Sequence, residues 1–159
     1  MSELRVRRAT LDDLHRIVEF TIAQVHEGEG AIKGRELLQQ GIERALSDES
    51  LSLYWVLVDD NDVPVGCTSA TREWSNWNNG FYWWVQSMFV DGSHRGMGGM
   101  NKLLDAIKQE MAKQGGVQLR IYLNKDNRAA KSAYERSGFQ RSVYEVMVML
   151  DDTPDRGDA

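Results

Sequence analysis

The sequence contains little cysteine and histidine, and neither is arranged for covalent or metal chemistry. Its 159 residues include one cysteine, Cys67, so no internal disulfide can form. The three histidines are scattered along the chain and have no ligand spacing with the cysteine. Cys67 lies in an alternating apolar segment, which is typical of a buried strand residue. The sequence therefore predicts neither a metal site nor thiol catalysis.

Long apolar runs and an excess of positive charge are also absent. No apolar stretch reaches the about 18 residues of a membrane span, and the N-terminus lacks the pattern of a signal peptide. We therefore expect a cytoplasmic protein that does not enter a membrane. The formal net charge of −5 argues against a nucleic-acid binder, which needs a basic face. It fits ordinary solubility charge as well as a preference for cationic substrates.

The chain has instead the alternating and helical periodicities of a mixed α/β protein. Thr10 and Asp13 have the spacing of a helix N-cap followed by its capping partner. Residues 1–150 are expected to form a single domain, and residues 151–159 a disordered tail. The predicted strands cover residues 3–8, 51–58, 63–72, 81–90, 117–123 and 143–150. The predicted helices follow Thr10 and cover residues 34–46, 100–114 and 127–137.

A glycine-rich loop joins the fourth predicted strand to the third helix. Its residues are Arg95-Gly96-Met97-Gly98-Gly99, followed by Met100 and Asn101 at the helix start. Side chains are nearly absent there, so backbone N–H groups at the positive end of the helix dipole can bind a phosphate or diphosphate. The composition of the loop is equally compatible with a plain turn that binds no ligand.

Spacing excludes two common phosphate loops. A P-loop needs Lys and Ser or Thr after its last glycine, but Met100 and Asn101 follow here. A dinucleotide fingerprint needs a third glycine at Asn101 and an acidic residue near Leu123, and neither is present. The remaining pattern, Arg-x-x-Gly-x-(Gly/Ala), resembles the loop of the GNAT superfamily of acyl-CoA-dependent N-acyltransferases. Arg95 and Gly98 match it, and Met100 replaces the usual small residue.

A second segment carries the other half of the resemblance. Residues 124–139 are similar to the family's Asn-x-x-Ala-x-x-x-Tyr-(Glu)-x-x-Gly-Phe pattern through the residues Asn127, Ala130, Tyr134, Glu135, Gly138 and Phe139. Asn127, Ala130, Lys131 and Tyr134 follow helical spacing and share one stripe, which can run along an extended ligand. A purely structural role, with Asn127 as a helix cap and Tyr134 in the core, is the alternative.

The resemblance covers residues 4–150 and implies a fold and a co-substrate. The implied GNAT-like fold has a mixed, mostly antiparallel sheet of about seven strands, flanked by about four helices and split around the acyl-CoA site. The implied co-substrate is acetyl-CoA, without a metal. The implied co-substrate-binding residues are Met88, Phe89, Val90, Arg95, Gly96, Met97, Gly98, Gly99, Met100, Asn101, Asn127, Ala130 and Lys131.

The resemblance also implies a reaction, the transfer of an acetyl group to a primary amine by direct attack in a ternary complex. An amide of Met88 or Phe89 would polarise the thioester, and Tyr134 is the catalytic residue that would protonate the leaving thiolate. The general base stays open between Glu27, Glu29, Glu73 and a water held by Gln86 or Ser87. Trp74 or Trp77 is a candidate cation–π wall for an ammonium group.

The expected partner is a small-molecule or peptide amine. A non-catalytic acyl-CoA-binding or regulatory module is the alternative function. The sequence also leaves open the identity of the amine and a homodimer through an exposed sheet edge or the aromatic hairpin.

Overall fold

The computed structural model describes residues 2–28 and 34–150 of the chain. Its strands are β1 (Arg5–Arg8), β2 (Leu53–Val58), β3 (Pro64–Ser75), β4 (Gly80–Val90) and β5 (Gln118–Ile121). Its helices are α1 (Leu14–Gly28), α2 (Arg35–Ser47), α3 (Gly99–Lys113) and α4 (Arg128–Arg136). Short 3-10 turns at Leu11–Asp13 and Gly92–His94 precede α1 and the glycine loop.

The five strands form one sheet in the order β1-β2-β3-β4-β5. Every neighbouring pair is antiparallel except β4 and β5, which are parallel. The parallel pair confirms the strand, helix, strand crossover predicted around α3, because parallel neighbours need a long connection. The mixed sheet with four helices agrees with the predicted fold.

The predicted count of about seven strands is wrong for the described residues, where the sheet has five. Residues 143–150 form no strand, and Val143, Met147 and Met149 are more than nine-tenths exposed. Alternating apolar residues favour an extended chain, but a strand also needs a neighbour for its backbone hydrogen bonds. The segment makes no such pairing here. The fifth strand is likewise shorter than predicted and ends at Ile121.

Two apolar clusters pack on opposite faces of the sheet. On one face, Ile17, Val18 and Phe20 of α1 and Ile42 of α2 cover Val56, Val58, Cys67 and Phe89. On the other face, Leu103, Leu104 and Ile107 of α3 pack with Trp55, Leu57, Trp83, Val85 and Tyr134. Cys67 is buried and free, as expected from its strand position. We call these surfaces the α1–α2 face and the α3–α4 face.

The start of the first helix is held by the predicted capping residues. The Thr10 hydroxyl accepts a hydrogen bond from the Asp12 N–H, and Asp13 accepts one from the Thr10 N–H, which completes a capping box. Asp13 also accepts two hydrogen bonds from the Arg7 guanidinium, at 2.9 and 3.0 Å. This bidentate pair joins β1 to α1, and the Asp13 side chain is only 6% exposed.

No helix in residues 2–28 and 34–150 is long and apolar enough to cross a membrane. Within the same ranges, no group of three or more His, Cys, Asp or Glu side chains is placed to hold a metal ion.

The Arg7–Asp13 pair should contribute measurably to stability. We expect Asp13→Asn to lower the free energy of unfolding by about 3 kcal/mol, because it removes the buried one of the two charge partners of the Arg7 guanidinium and weakens the helix cap. Urea unfolding gives this value. The matched control is Asp62→Asn, which removes a half-exposed partner of Arg5 and Arg7 and should cost much less. Equal losses in the two variants would contradict this prediction.

Candidate functional site

The sheet opens between its last two strands. β4 pairs with β5 only from Tyr82 to Val85, opposite residues 118–121. Residues 86–90 continue along β3 but have no partner on the β5 side among the described residues. A cleft therefore begins where the β4–β5 pairing ends.

A bulge lies at the start of this cleft. Ser69 pairs with Ser87, but the next β3 residue, Ala70, pairs with Val85, so Gln86 is an extra residue in β4. The insertion shifts the alternation of side chains by one. Val85 and Met88 consequently both lie on the α3–α4 face.

The hydrogen-bond pattern of β4 fixes the direction of its amides. The Asp91 N–H donates to Val65 O at 2.8 Å. Because N–H groups alternate between the two sides of an antiparallel strand, those of Phe89 and Ser87 also point toward β3. The N–H groups of Met88 and Val90 then point into the cleft. Of the two amides that the sequence left open for the thioester, only that of Met88 faces this way.

The glycine loop follows directly and borders the cleft. Gly96 and Gly98 both have φ of +78°, which only glycine adopts easily, and a Cβ at either position would meet no atom within 4 Å. Within the described ranges, the backbone N–H groups of residues 96–101 donate no hydrogen bond, and the first helical donor is Lys102, to Gly98 O at 3.1 Å. Six consecutive amides are thus available at the start of α3.

The loop is held in place by the core and by the end of β4. A Cβ on Gly99 would lie 2.6 Å from Leu57 Cδ2, so Gly99 is required for packing against β2. Arg95 Nε donates to Val90 O at 2.9 Å, and its guanidinium lies 5.6 Å from the centre of the Phe89 ring. Arg95 therefore ties the loop to the strand. A cavity of about 130 Å³ is lined by Val90, His94, Arg95, Gly96, Gly98, Gly99, Met100 and Asn101.

The fourth helix contributes the second motif. Asn127 caps it, its side-chain oxygen accepting from the Ala130 N–H at 3.1 Å. Ala130 is half-buried against the core, and Lys131 is exposed, 3.8 Å from Glu135. The structure thus gives Asn127 the capping role that was the structural alternative, and leaves its amide nitrogen for other contacts.

The two motifs are in direct contact. The Ser137 hydroxyl, at the end of α4, donates to the side-chain oxygen of Asn101 in the first turn of α3, at 3.1 Å. Met100, which departs from the usual small residue, packs against the α3–α4 core. The glycine loop and α4 are therefore parts of one assembly.

Tyr134 lies in the α3–α4 core, with 6% of its surface exposed. Its ring packs edge-on against Phe139, with the ring centres 5.5 Å apart. Its hydroxyl makes no hydrogen bond in the part of the chain that the structure describes. Burial raises the pKa of Tyr134 to about 12. The phenol therefore stays protonated at neutral pH, as a proton donor must.

The candidate bases are unevenly placed. Glu73 accepts a hydrogen bond from the Trp84 indole at 2.9 Å, and Gln86 donates to the Thr71 hydroxyl. Glu27 belongs to α1, and Glu29 lies outside the described residues. No described contact brings Glu73 to Tyr134 or to the loop.

The candidate aromatic wall is not a formed pocket. Trp77 is 97% exposed, and Trp74 packs edge-on against Phe81. Trp84 instead stacks on Tyr122, with ring centres 4.4 Å apart, and the Arg120 guanidinium lies near its ring.

Sequence reasoning named Ser87 but missed the hydroxyls of Thr68 and Ser69 beside it, next to the bulge. The Ser69 and Ser87 hydroxyls are 2.7 Å apart, and the Thr68 hydroxyl donates to Ser87 O at 2.7 Å. Thr68 and Ser69 are almost completely buried. The available signal was a pair of adjacent hydroxyl residues within residues 64–70, the otherwise apolar first half of β3.

Comparison with known proteins agrees with this geometry. Residues 23–139 match the model of the acetyltransferase (GNAT) family. The chain belongs to the GNAT family. Proteins of this family use an acyl-CoA co-substrate, which suits a cleft bordered by free amides. No curated protein matches the chain significantly.

Solved structures extend the comparison. A possible acetyltransferase from Clostridium difficile 630 is 33% identical and has a TM-score of 0.81, over 92% of this chain and 99% of that one. A ribosomal-protein-alanine N-acetyltransferase from Brucella melitensis biovar Abortus 2308 has 14% identity and a TM-score of 0.75, over 94% and 99% of the two chains. An aminoglycoside acetyltransferase from an uncultured soil metagenomic sample, in complex with sisomicin, has 18% identity and a TM-score of 0.72, over 93% and 97%. The last two share the fold.

The glycine loop is predicted to bind the diphosphate of coenzyme A, and Gly98 offers a test. In Gly98→Ala the new methyl group enters the open space in front of the free amides, so we expect at least a tenfold weaker coenzyme A affinity, about 1.4 kcal/mol. Isothermal titration calorimetry measures it.

The matched control is Gly115→Ala, in the turn after α3. Gly115 has φ of +71° and equally open surroundings, so an alanine there strains the backbone about as much as at Gly98. Unlike Gly98, Gly115 does not border the cleft. The two variants should lose similar thermal stability, and only Gly98→Ala should lose affinity. Undiminished coenzyme A affinity in a folded Gly98→Ala protein would contradict the prediction that the diphosphate binds at the glycine loop.

Proposed function

We propose that this protein is an N-acetyltransferase that moves the acetyl group of acetyl-CoA to a primary amine by direct attack in a ternary complex. The observation that carries the proposal is the succession of two sets of outward backbone amides along one cleft. The Met88 N–H lies on the unpaired edge of β4 that leads to the amides of residues 96–101, and α4, which carries Tyr134, is bonded to the start of α3 through Ser137 and Asn101. Each feature supplies a different requirement of acyl transfer from a thioester.

The diphosphate of acetyl-CoA would bind at the start of α3. The dipole of this 15-residue helix and the six free amides both favour negative charge there. Gly96 and Gly98 allow the ligand to approach the backbone, while Gly99 and Arg95 hold the loop against the sheet. These separate roles, ligand approach for two glycines and packing for the third, explain why three glycines occur in four residues.

The pantetheine arm would run along the unpaired side of β4. Between the bulge and Val90 this edge presents backbone groups without a strand partner, and an extended amide-containing chain can bond to them as an added strand would. Asn127, Ala130 and Lys131 would border the other side of the arm. This path leads from the glycine loop toward the bulge and the Met88 N–H.

The Met88 N–H would polarise the thioester carbonyl. As the amine nitrogen bonds to the carbonyl carbon, negative charge develops on the oxygen, and a fixed backbone donor stabilises it. The C–S bond then breaks, and the thiolate takes the hydroxyl proton of Tyr134. The neutral amine releases one proton to solvent as the amide forms, the thiolate gains one from Tyr134, and the Tyr134 phenolate takes one back from solvent, so no net proton or electron is required. An amine that starts protonated must lose one further proton before it attacks.

The high pKa of Tyr134 suits this role only when the pKa of the leaving thiol is raised as well. A free thiol has a pKa of about 8.5. Its thiolate is therefore too weak a base to take the proton of a phenol whose pKa is about 12 readily. However, the burial that raises the pKa of the phenol also raises the pKa of a thiolate beside it. The transfer therefore becomes better matched once the ligand displaces water.

The proposal is tested by release of free thiol from acetyl-CoA in the presence of a panel of amines. Turnover with any amine supports an N-acetyltransferase. Tight coenzyme A binding without turnover would instead favour the alternative, a non-catalytic acyl-CoA-binding or regulatory module.

Tyr134→Phe separates a proton donor from a core aromatic residue, because it keeps the ring and removes the hydroxyl. We expect kcat to fall by roughly 10²- to 10⁴-fold while acetyl-CoA affinity changes little. The measurement combines steady-state kinetics with direct binding. Tyr144→Phe makes the same chemical change at a ring that is 77% exposed and does not line the cavity at the glycine loop, so it should keep kcat. Wild-type kcat in Tyr134→Phe, with chemistry rate-limiting, would remove Tyr134 from the mechanism.

Met88→Pro removes the proposed carbonyl donor. Because this N–H does not contribute to the β3–β4 ladder, the variant should fold, and kcat should fall by about 10²- to 10³-fold. Phe89→Pro is the contrasting control, since it removes a donor that faces β3 and should destabilise the sheet. Circular dichroism and kinetics distinguish the two effects. A folded Met88→Pro protein with undiminished kcat would exclude this amide.

A further inference from the structure

The reaction proposed above leaves one proton unassigned. An alkyl amine is mostly protonated at neutral pH and must lose a proton before it attacks a carbonyl. The carboxylate of Glu73 is engaged by the Trp84 indole, and no described contact links it to Met88. Glu73 is the one candidate carboxylate base whose side chain the structure describes, so a proton route through described residues must use other groups, and its assignment rests on the proposed function.

A row of three hydroxyls crosses the sheet beside the bulge. Tyr54 of β2 pairs with Ser69 of β3, and Ser69 pairs with Ser87 of β4, so all three side chains lie on the α1–α2 face. The Ser69 and Ser87 oxygens are 2.7 Å apart. The Tyr54 hydroxyl also interacts with Ser69, which partly offsets the rise in the pKa of Tyr54 caused by burial. We call these residues the hydroxyl row.

The hydroxyl row is most deeply buried in its middle and less buried at its two ends. Ser69, in the middle, is 1% exposed, whereas Tyr54 and Ser87 are both only partly buried. The neighbouring residues on this face, Val56, Cys67 and Phe89, are apolar and buried. Buried hydroxyls cost free energy unless they bond to one another. Here Ser69 and Ser87 bond to each other, and Tyr54 lies opposite Ser69 on the neighbouring strand, so the row runs from one partly buried end to the other through a buried middle.

The row meets the proposed reaction centre at Ser87. Ser87 is the residue before Met88, whose N–H is proposed to bind the thioester oxygen. The Thr68 hydroxyl donates to the backbone oxygen of Ser87 at 2.7 Å and so holds the backbone between Ser87 and Met88 in place. Because Ser87 lies on the α1–α2 face, an amine that attacks the carbonyl from this face would come close to the Ser87 hydroxyl.

We propose that Ser87, Ser69 and Tyr54 form a proton relay that carries the proton of the amine from the acceptor side of the cleft to solvent. The ammonium proton binds to the Ser87 oxygen as the hydroxyl proton of Ser87 passes to Ser69. That of Ser69 passes to Tyr54, and that of Tyr54 passes to water. Each hydroxyl ends neutral, the amine keeps its lone pair for attack, and water or buffer takes the proton.

The test compares two substrates that differ in the need for the relay. One is the best alkyl amine found, and the other is its O-alkyl hydroxylamine analogue, in which an oxygen replaces the carbon next to nitrogen. The analogue has nearly the same shape, but its nitrogen is unprotonated at neutral pH. In Ser69→Ala we expect kcat/KM to fall by about 10²-fold for the amine and by less than about twofold for the analogue.

The controls separate a relay from a packing role. Ser69→Thr keeps a hydroxyl and should retain most of the activity with the amine. Ser75→Ala removes another buried serine, further along β3, and should affect both substrates equally. Acetyl-CoA affinity should be unchanged in each variant. If Ser69→Ala fails to fold, Ser87→Ala and Tyr54→Phe, at the partly accessible ends, give the same comparison.

The outcomes distinguish this proposal from the function on which it rests. Equal losses with both substrates, or no loss with the amine, would overturn the relay and leave N-acetyl transfer intact. A wild-type protein that binds acetyl-CoA but turns over neither substrate would overturn both. A loss confined to the protonated amine supports the relay, because a merely structural role does not depend on the protonation state of the substrate.

Discussion

The separation of β4 from β5 is the constraint on which the rest of the site depends. The two strands pair over four residues of β4, and the bulge at Gln86 marks the end of that pairing. Beyond it, β4 keeps β3 as a neighbour and exposes one set of amides. Backbone donors without partners are costly when buried, so a fold that retains them gains from a ligand that bonds to them. An extended amide-containing molecule such as acyl-CoA meets this need.

The same contacts that stabilise the domain also position the cleft. Gly99 packs against Leu57, and Arg95 ties the loop to Val90, so the free amides are held by the core. The hydrogen bond between Ser137 and Asn101 couples α4 to the start of α3. Tyr134 belongs both to the α3–α4 core and to the proposed chemistry. Its surroundings raise its pKa because they pack it closely.

The two faces of the sheet have different parts in the proposed reaction. The α3–α4 face carries the glycine loop and α4, which form the proposed co-substrate site. The α1–α2 face carries the hydroxyl row, which crosses an otherwise apolar surface formed by residues such as Val56, Cys67 and Phe89. Ser87 and Met88 are consecutive in β4 and therefore point to opposite faces of the sheet. This alternation places the proposed proton pathway and the proposed carbonyl donor next to each other, just beyond the bulge.

The sequence by itself determined the family, the order of the helices and strands, and the position of the glycine loop. These depend on local properties: apolar periodicity, a capping box, and glycines at positions that need positive φ. It also predicted a strand at residues 143–150, which is not formed, because alternation cannot supply the neighbour that a strand requires. Only the tertiary structure decided which β4 amide faces the cleft, since that depends on register with β3. It likewise brought Tyr54, Ser69 and Ser87 together from three strands, a contact that exists only after the sheet has formed.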